Sequence, residues 1–214
     1  MQAGGRLHRK IQRRMGAGYA AEVPLKITVP MKGFDCVVEG RADGIFAEDG
    51  TEWIDEIKGV YRDLNLIEQP VGVHLAQALC YAYIYAAQHD LPQMGVQLTY
   101  GNLETEELKM FHETRSREEL EEWFHRLMRE YEKWAAFQFE WKKIRKESIR
   151  PLEFPFPYRE GQKELAAGVY RTIARKKRLF IQAPTGVGKT ISTVFPAVKA
   201  VGEELGDRIF YLTA

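Results

Sequence analysis

Between an apolar run at residues 178–182 and another that opens at Lys189 lies the octapeptide Ala183-Pro184-Thr185-Gly186-Val187-Gly188-Lys189-Thr190. No other stretch limits the fold so sharply. Two glycines at this spacing let successive backbone N–H groups turn inward on an anion, with the positive end of the next helix behind them. The turn works only with a strand before it and a helix after it. The flanking residues predict a strand at 178–182, a helix at 189–205 and a second strand at 208–212, preceded by a helix over about 161–175. A strand–helix–strand unit implies a parallel sheet, and two strands do not make a stable parallel sheet alone. The unit is therefore expected to be unfinished at Ala214, with the rest of it beyond. In the loop, Thr185, Gly186, Val187 and Gly188 would line the phosphates of ATP. Lys189 would reach the β- and γ-phosphates, and the Thr190 hydroxyl would hold Mg²⁺.

The preceding chain reads differently. Leu7, Ile11 and Met15 recur at four-residue spacing and predict a short helix over 4–16. Val23, Leu25, Ile27 and Val29 alternate as in a strand that Pro30 closes. Strands are expected at 34–46 and 52–60, joined through Asp49-Gly50, a hairpin signal. A helix at 74–89 and strands at 94–100 and 107–112 complete an α/β unit. Ser116 and Glu119 form a capping-box pattern. They open a long helix carrying Leu120, Trp123, Phe124, Leu127, Met128, Tyr131 and Trp134 at helical spacing. Its aromatic face suits packing on a neighbour. Pro151, Pro155 and Pro157 mark a linker where helix cannot continue. The expected division is 1–113, then a bridging helix and linker at 114–157, then 158–214.

Of the 214 residues, 45% are apolar and 29% charged, as in a water-soluble globular chain. A formal net charge of +1 gives no global pull toward nucleic acid. Contact would rest on local basic stretches: Arg6–Arg14, Lys142–Lys146 and Arg175–Arg178. Each also suits a solvated helix face or end. Cys36 and Cys80 lie in apolar runs and suit reduced, buried thiols. Two cysteines cannot supply a four-cysteine zinc or iron–sulfur site. No apolar run approaches the roughly 20 residues that span a bilayer, and the basic N-terminus lacks the apolar core of a signal peptide. The expected location is cytoplasmic, with no membrane partner.

A second constellation is more dispersed. Asp43 ends a strand in Gly40-Arg41-Ala42-Asp43-Gly44, and Glu56-Ile57-Lys58 follows on the next. Glu56 and Lys58 point to one face because strand side chains alternate. Pairing across Asp49-Gly50 brings Asp43 toward Glu56. Two carboxylates and a backbone oxygen suit Mg²⁺ or Mn²⁺, and Lys58 could activate water or stabilise charge on a phosphate. The same residues also suit a surface ion pair and a turn. Asp55, the alternative acid, falls on the wrong face relative to Lys58.

Residues 158–214 resemble the start of a DinG/XPD-type superfamily 2 DNA helicase. Tyr158-Arg159-Glu160-Gly161-Gln162 is similar to that family's glutamine motif, which implies that Gln162 reads adenine. Ala183–Thr190 is similar to its Walker A motif, with Ala183 where the strict pattern has Gly. Tyr211-Leu212-Thr213-Ala214 resembles the start of its next motif. The acidic Walker B motif and the second motor domain are expected past Ala214, so this stretch alone is expected to bind nucleotide without turning it over.

Residues 4–112 resemble the PD-(D/E)xK nuclease fold, a restriction-endonuclease-like core, and more narrowly its RecB-like branch, which includes CRISPR adaptation nucleases. The resemblance implies metal ligation by His8, Asp43, Glu56 and the Ile57 backbone. It implies catalysis by Asp43, Glu56, Lys58, Gln77 and Tyr81, with Glu22 as a looser match on the first strand. The four-cysteine cluster of many relatives is absent. Together the resemblances imply a metal-dependent DNA nuclease coupled to an ATP-dependent helicase, acting on single-stranded DNA or DNA with free ends. The alternative is an idle nuclease fold that loads DNA onto the helicase.

Overall fold

The computed structural model describes residues 2–212, which fall into two compact units divided between Lys133 and Trp134. The first opens with helix α1 (Gln2–Arg14) and continues into a five-stranded sheet in the order β1-β2-β3-β4-β5. The strands are β1 (Ala20–Met31), β2 (Phe34–Glu48), β3 (Thr51–Val60), β4 (Gln93–Asn102) and β5 (Leu108–Ser116). Asp49 and Gly50 both take positive φ, 50° and 75°, in the β2–β3 turn. That backbone twist matches the strands it joins and is why Asp-Gly occupies the turn. β1 runs past Pro30 to Met31, one residue beyond the expected stop. As an edge strand, it tolerates proline because one side of its ladder is unpaired.

β3 and β4 are parallel, and the other neighbouring strands antiparallel. A parallel pair needs a crossover, supplied by a short 3₁₀ turn (Leu64–Leu66) and helix α2 (Gly72–His89). The sequence reading missed the 3₁₀ turn. Asp63 caps it by accepting the Asn65 amide at 2.9 Å. Ala78, Ala82 and Ala86 let α2 lie close to the sheet, where Ile54, Val96, Leu98 and Tyr100 are buried with it. Alternation along β3 puts Ile57 on the other face, against Leu7 and Ile11 of α1. Each such burial contributes roughly 1.5–3 kcal/mol.

Helix α3 (Arg117–Ile149) starts with the expected reciprocal cap. The Glu119 amide donates to Ser116 Oγ at 3.2 Å, and the Ser116 amide to Glu119 Oε2 at 2.8 Å. Leu120, Phe124 and Met128 join the core of the first unit.

The second unit contains α4 (Gln162–Ala174) and α5 (Lys189–Gly202). Lys199 of α5 donates to the carbonyls of Ile149, Arg150 and Leu152, at 2.9–3.3 Å, satisfying acceptors left open where α3 ends. The two strands expected at 178–182 and 208–212 do not form: neither segment has strand pairing, and Phe180 and Leu212 are 92% and 90% exposed. A strand is defined by its ladder, and two short segments without neighbours cannot supply one. The expected βαβ arrangement is therefore reduced to its loop and helices.

Candidate functional site

Within the first unit's sheet, β2 and β3 part while β3 stays paired to β4, and side chains fill the gap between them. β2–β3 pairing stops at Gly44↔Asp55, and just beyond it Asp43 Oδ2 accepts the Ile57 amide at 2.8 Å. The β1–β2 register is interrupted at the same level, between Ala21↔Gly44 and Val23↔Ala42. The residues in that gap are Glu22 and Asp43. Glu22 holds a left-handed φ of 57°, a strained conformation for a residue with a side chain and one that recurs at functional sites.

His8 of α1 reaches this gap, its Nδ1 3.2 Å from Asp43 Oδ1. Gln12, one turn later, donates to the Asp43 carbonyl at 2.9 Å and to Glu22 Oε1 at 3.3 Å. Sequence reading missed Gln12. Its four-residue spacing from His8 was the available signal.

On β3, Lys58 Nζ lies 2.5 Å from Glu56 Oε1 and 3.1 Å from Gln77 Oε1 of α2. Gln77 Nε2 donates to Tyr81 Oη at 3.3 Å. The Tyr81 ring lies over Gly40, occupying the space a Cβ would need. Thus His8, Asp43 and the Ile57 amide form one hydrogen-bonded string, and Glu56, Lys58, Gln77 and Tyr81 another. The two are joined by charge: Glu56 feels both Asp43 and His8.

Glu56 is the deepest of these groups, its side chain 1% exposed. Burial pushes its carboxyl up to about 7, against the downward pull of the Lys58 hydrogen bond. His8 is raised, the bond to Asp43 outweighing burial. Among the described residues, Glu56 Oε2 is buried and has no hydrogen-bond partner. An unsatisfied buried oxygen costs about 1–3 kcal/mol, and a divalent cation is one partner able to offset that. The two carboxylates are donors that suit Mn²⁺ or Mg²⁺, whereas imidazole is a ligand favoured by zinc, copper, iron and nickel. Among the described residues, no three His, Cys, Asp or Glu side chains are gathered at metal-ligand spacing. Asp43 and Glu56 are turned instead toward Ile57, His8 and Lys58.

Asp55 faces the other side of the sheet in a network of its own. It is fully buried and accepts from Tyr19 Oη at 2.8 Å and Thr99 Oγ1 at 2.7 Å. Gln97 extends the chain to His112. Burial raises Asp55, and the Thr99, Tyr19 and Gln97 hydrogen bonds oppose the rise. Tyr19 is raised by burial and by the Asp55 charge.

In the second unit, Gly186 and Gly188 take φ of 83° and 75°, which side-chain-bearing residues rarely adopt. Gln162 is buried and fastens the loop: its Oε1 accepts the Arg159 amide at 2.8 Å, and its Nε2 donates to the Val187 carbonyl at 2.7 Å. The Gln162 carboxamide fills the space a Cβ on Gly188 would need. Arg159 donates to the Gly186 carbonyl at 2.5 Å. Lys189 folds back on the loop, donating to the carbonyls of Ala183 and Pro184 at 3.0 and 2.9 Å. Thr190 Oγ1 lies 3.2 Å from Tyr211 Oη. A cavity of about 550 Å³ adjoins the loop, lined in part by Arg159, Gln162, Leu165, Ile181 and Val187. Thr185 lies in the turn itself.

Among the described residues, no helix is long and apolar enough to cross a membrane. No protein-family model matches the chain. A solved structure titled "Crystal structure of SSO0001" aligns at 20% identity with a TM-score of 0.38, over 51% of this chain and 49% of that one, values that establish no common fold. Over 47 residues, 22% of this chain, the sequence is 45% identical to "Probable ATP-dependent helicase MJ0942" of Methanocaldococcus jannaschii. The chain spans only 7% of that relative's length, and the similarity supports a relationship to a helicase.

Proposed function

We propose that the first unit is a Mg²⁺- or Mn²⁺-dependent DNA nuclease of the PD-(D/E)xK type and the second the ATP-binding opening of a DinG/XPD-type helicase motor. The functional division is 1–113, 114–157 and 158–214, and the remainder of the motor is part of the proposal. The observation that carries the nuclease reading is the buried, unpartnered Glu56 Oε2 beside Asp43, His8 and Lys58. In this reading His8, Asp43, Glu56 and the Ile57 backbone hold the cation. A cation held there would supply a water of lowered pKa and offset charge on the phosphate. Lys58, suspended between Glu56 and Gln77, orients that water, and Tyr81 steadies Gln77. The helicase reading draws on the partial similarity to the archaeal helicase and on the glycine turn fastened by Gln162. Gln162, Thr185, Gly186, Val187, Gly188, Lys189 and Thr190 would cradle ATP.

The test is cleavage of end-labelled single-stranded DNA by the native chain, Glu56→Gln and Lys58→Ala with Mg²⁺ or Mn²⁺. Metal-dependent cutting should fall on the order of a hundred- to a thousandfold in either variant. Equal cutting by native protein and Glu56→Gln would refute the assignment. A second reading, an idle fold that loads DNA, is favoured by one feature: Lys58 already pairs with Glu56, and His8 with Asp43. It predicts DNA binding without cutting in either metal.

A further inference from the structure

Helix α1 carries Arg6, Arg9, Lys10, Arg13 and Arg14 and no acidic residue. Arg13 and Arg14 end the helix, where the backbone dipole favours cations. Arg6 and Arg9 lie past the first turn, where the dipole has little effect. Lys10 is paired with Glu106, and Arg14 acts on the same carboxylate. Arg6 lines the pocket that Lys10 and Glu106 share. Arg9 and Arg13 are different. Both are exposed, and among the described residues neither has an ion-pair or hydrogen-bond partner. They stand one helical turn apart, with Cβ atoms about 5–6 Å apart, so like charges are gathered on one face.

Their place on the helix gives this unpaired charge a direction. Leu7 and Ile11 are buried against Ile57, and His8 and Gln12 are bonded to Asp43. Arg9 and Arg13 follow His8 and Gln12 by one residue each. They therefore stand about 100° beyond His8 and Gln12 and about 200° from Leu7 and Ile11, on the solvent face of α1 that borders the His8–Gln12 side. Two permanently charged, unpaired guanidinium groups bordering the proposed site suit consecutive phosphates of a strand entering it.

We propose that Arg9 and Arg13 form a phosphate track that holds the DNA strand beside the His8–Asp43 pair. This rests on the nuclease reading for its orientation but not for its test. Arginine suits the task because its planar fork grips phosphate oxygens in pairs. The track reads no base and gives no sequence preference.

The experiment measures binding of fluorescein-labelled oligothymidylate to the full chain by anisotropy across a salt series, without divalent metal so that no strand is cut. The chains compared are native, Arg9→Gln/Arg13→Gln, Arg9→Lys/Arg13→Lys and Glu56→Gln. The glutamine pair should weaken binding. It should also reduce the slope of log affinity against log salt by about 1.4, the release expected for two phosphate contacts on a single strand. The lysine pair should keep most of that slope. With metal present, the glutamine pair should raise KM and leave kcat near native. Unchanged affinity and slope in the glutamine pair, with native thermal stability, overturns the track even if Glu56→Gln abolishes cutting. Loss of slope in the glutamine pair, together with a native chain that cuts nothing once metal is added, keeps the track and removes the nuclease.

Discussion

The carboxylate of Glu56 and the ammonium of Lys58 lie 2.5 Å apart on one face of β3, and among the described residues only one of the two Glu56 oxygens has a hydrogen-bond partner. The pair is thus asymmetric. Lys58 offsets part of the burial of the charge, and the second oxygen remains open to a further cation. Asp43 and His8, close enough to act on Glu56, set the remaining field.

This burial has a sign in pH. Folding raises the Glu56 carboxyl from 4.5 to about 7, so between those values the folded chain binds more protons than the unfolded one. Stability contributed by this group is therefore lost as pH rises through that window. The loss amounts to about 3 kcal/mol at most above it, lessened by whatever Lys58 gives up on substitution. Glu56→Gln should melt higher than native at pH 8 and close to it at pH 4.5. A difference that is constant with pH would contradict the burial.

Asp55 depends on two hydroxyl donors on the opposite face. Tyr19→Phe or Thr99→Val removes one donor each while keeping most of the packing. Each should cost about 1–3 kcal/mol in urea unfolding. No loss in either would show that the network does not stabilise the sheet.

Gly44 and Gly95 lie under rings: Tyr19 occupies the space a Cβ on Gly44 would take, and Trp53 the space at Gly95. Gly44→Ala should displace Tyr19 from Asp55 and destabilise by about 1–3 kcal/mol. The melting temperature reports the destabilisation, and Tyr19→Phe should cost less in the Gly44→Ala background than on its own if the ring has left Asp55. A native-like melt would mean that the ring has room to move.

The loop of the second unit is held from outside by Gln162. Gln162→Ala leaves the Val187 carbonyl and the Arg159 amide without their partner. It should weaken binding of a fluorescent ATP analogue, and Lys189→Ala should weaken it further. Unaltered binding in Gln162→Ala would mean that the loop holds its shape alone.

Much of this was legible from local pattern. Ser116 and Glu119 announced the start of α3, Asp49-Gly50 the β2–β3 turn, and the alternation of Glu56 and Lys58 their shared face. What was hidden depends on distant partners. Nothing near Asp55 signals that Tyr19 and Thr99, 36 and 44 residues away, satisfy it. The left-handed turn at Glu22 arises only where β1 meets Asp43. Residues 178–182 and 208–212 carry strand composition, yet composition cannot supply the neighbouring strands a ladder requires.

The most direct measurement is the titration of Mn²⁺ into the full chain, followed by the loss of its free-ion electron paramagnetic resonance signal. The account predicts binding by the native chain that is lost in Asp43→Asn and in Glu56→Gln and retained in Lys189→Ala. Native binding that survives both acid substitutions, or no binding at all, would contradict a metal centre where β2 and β3 part.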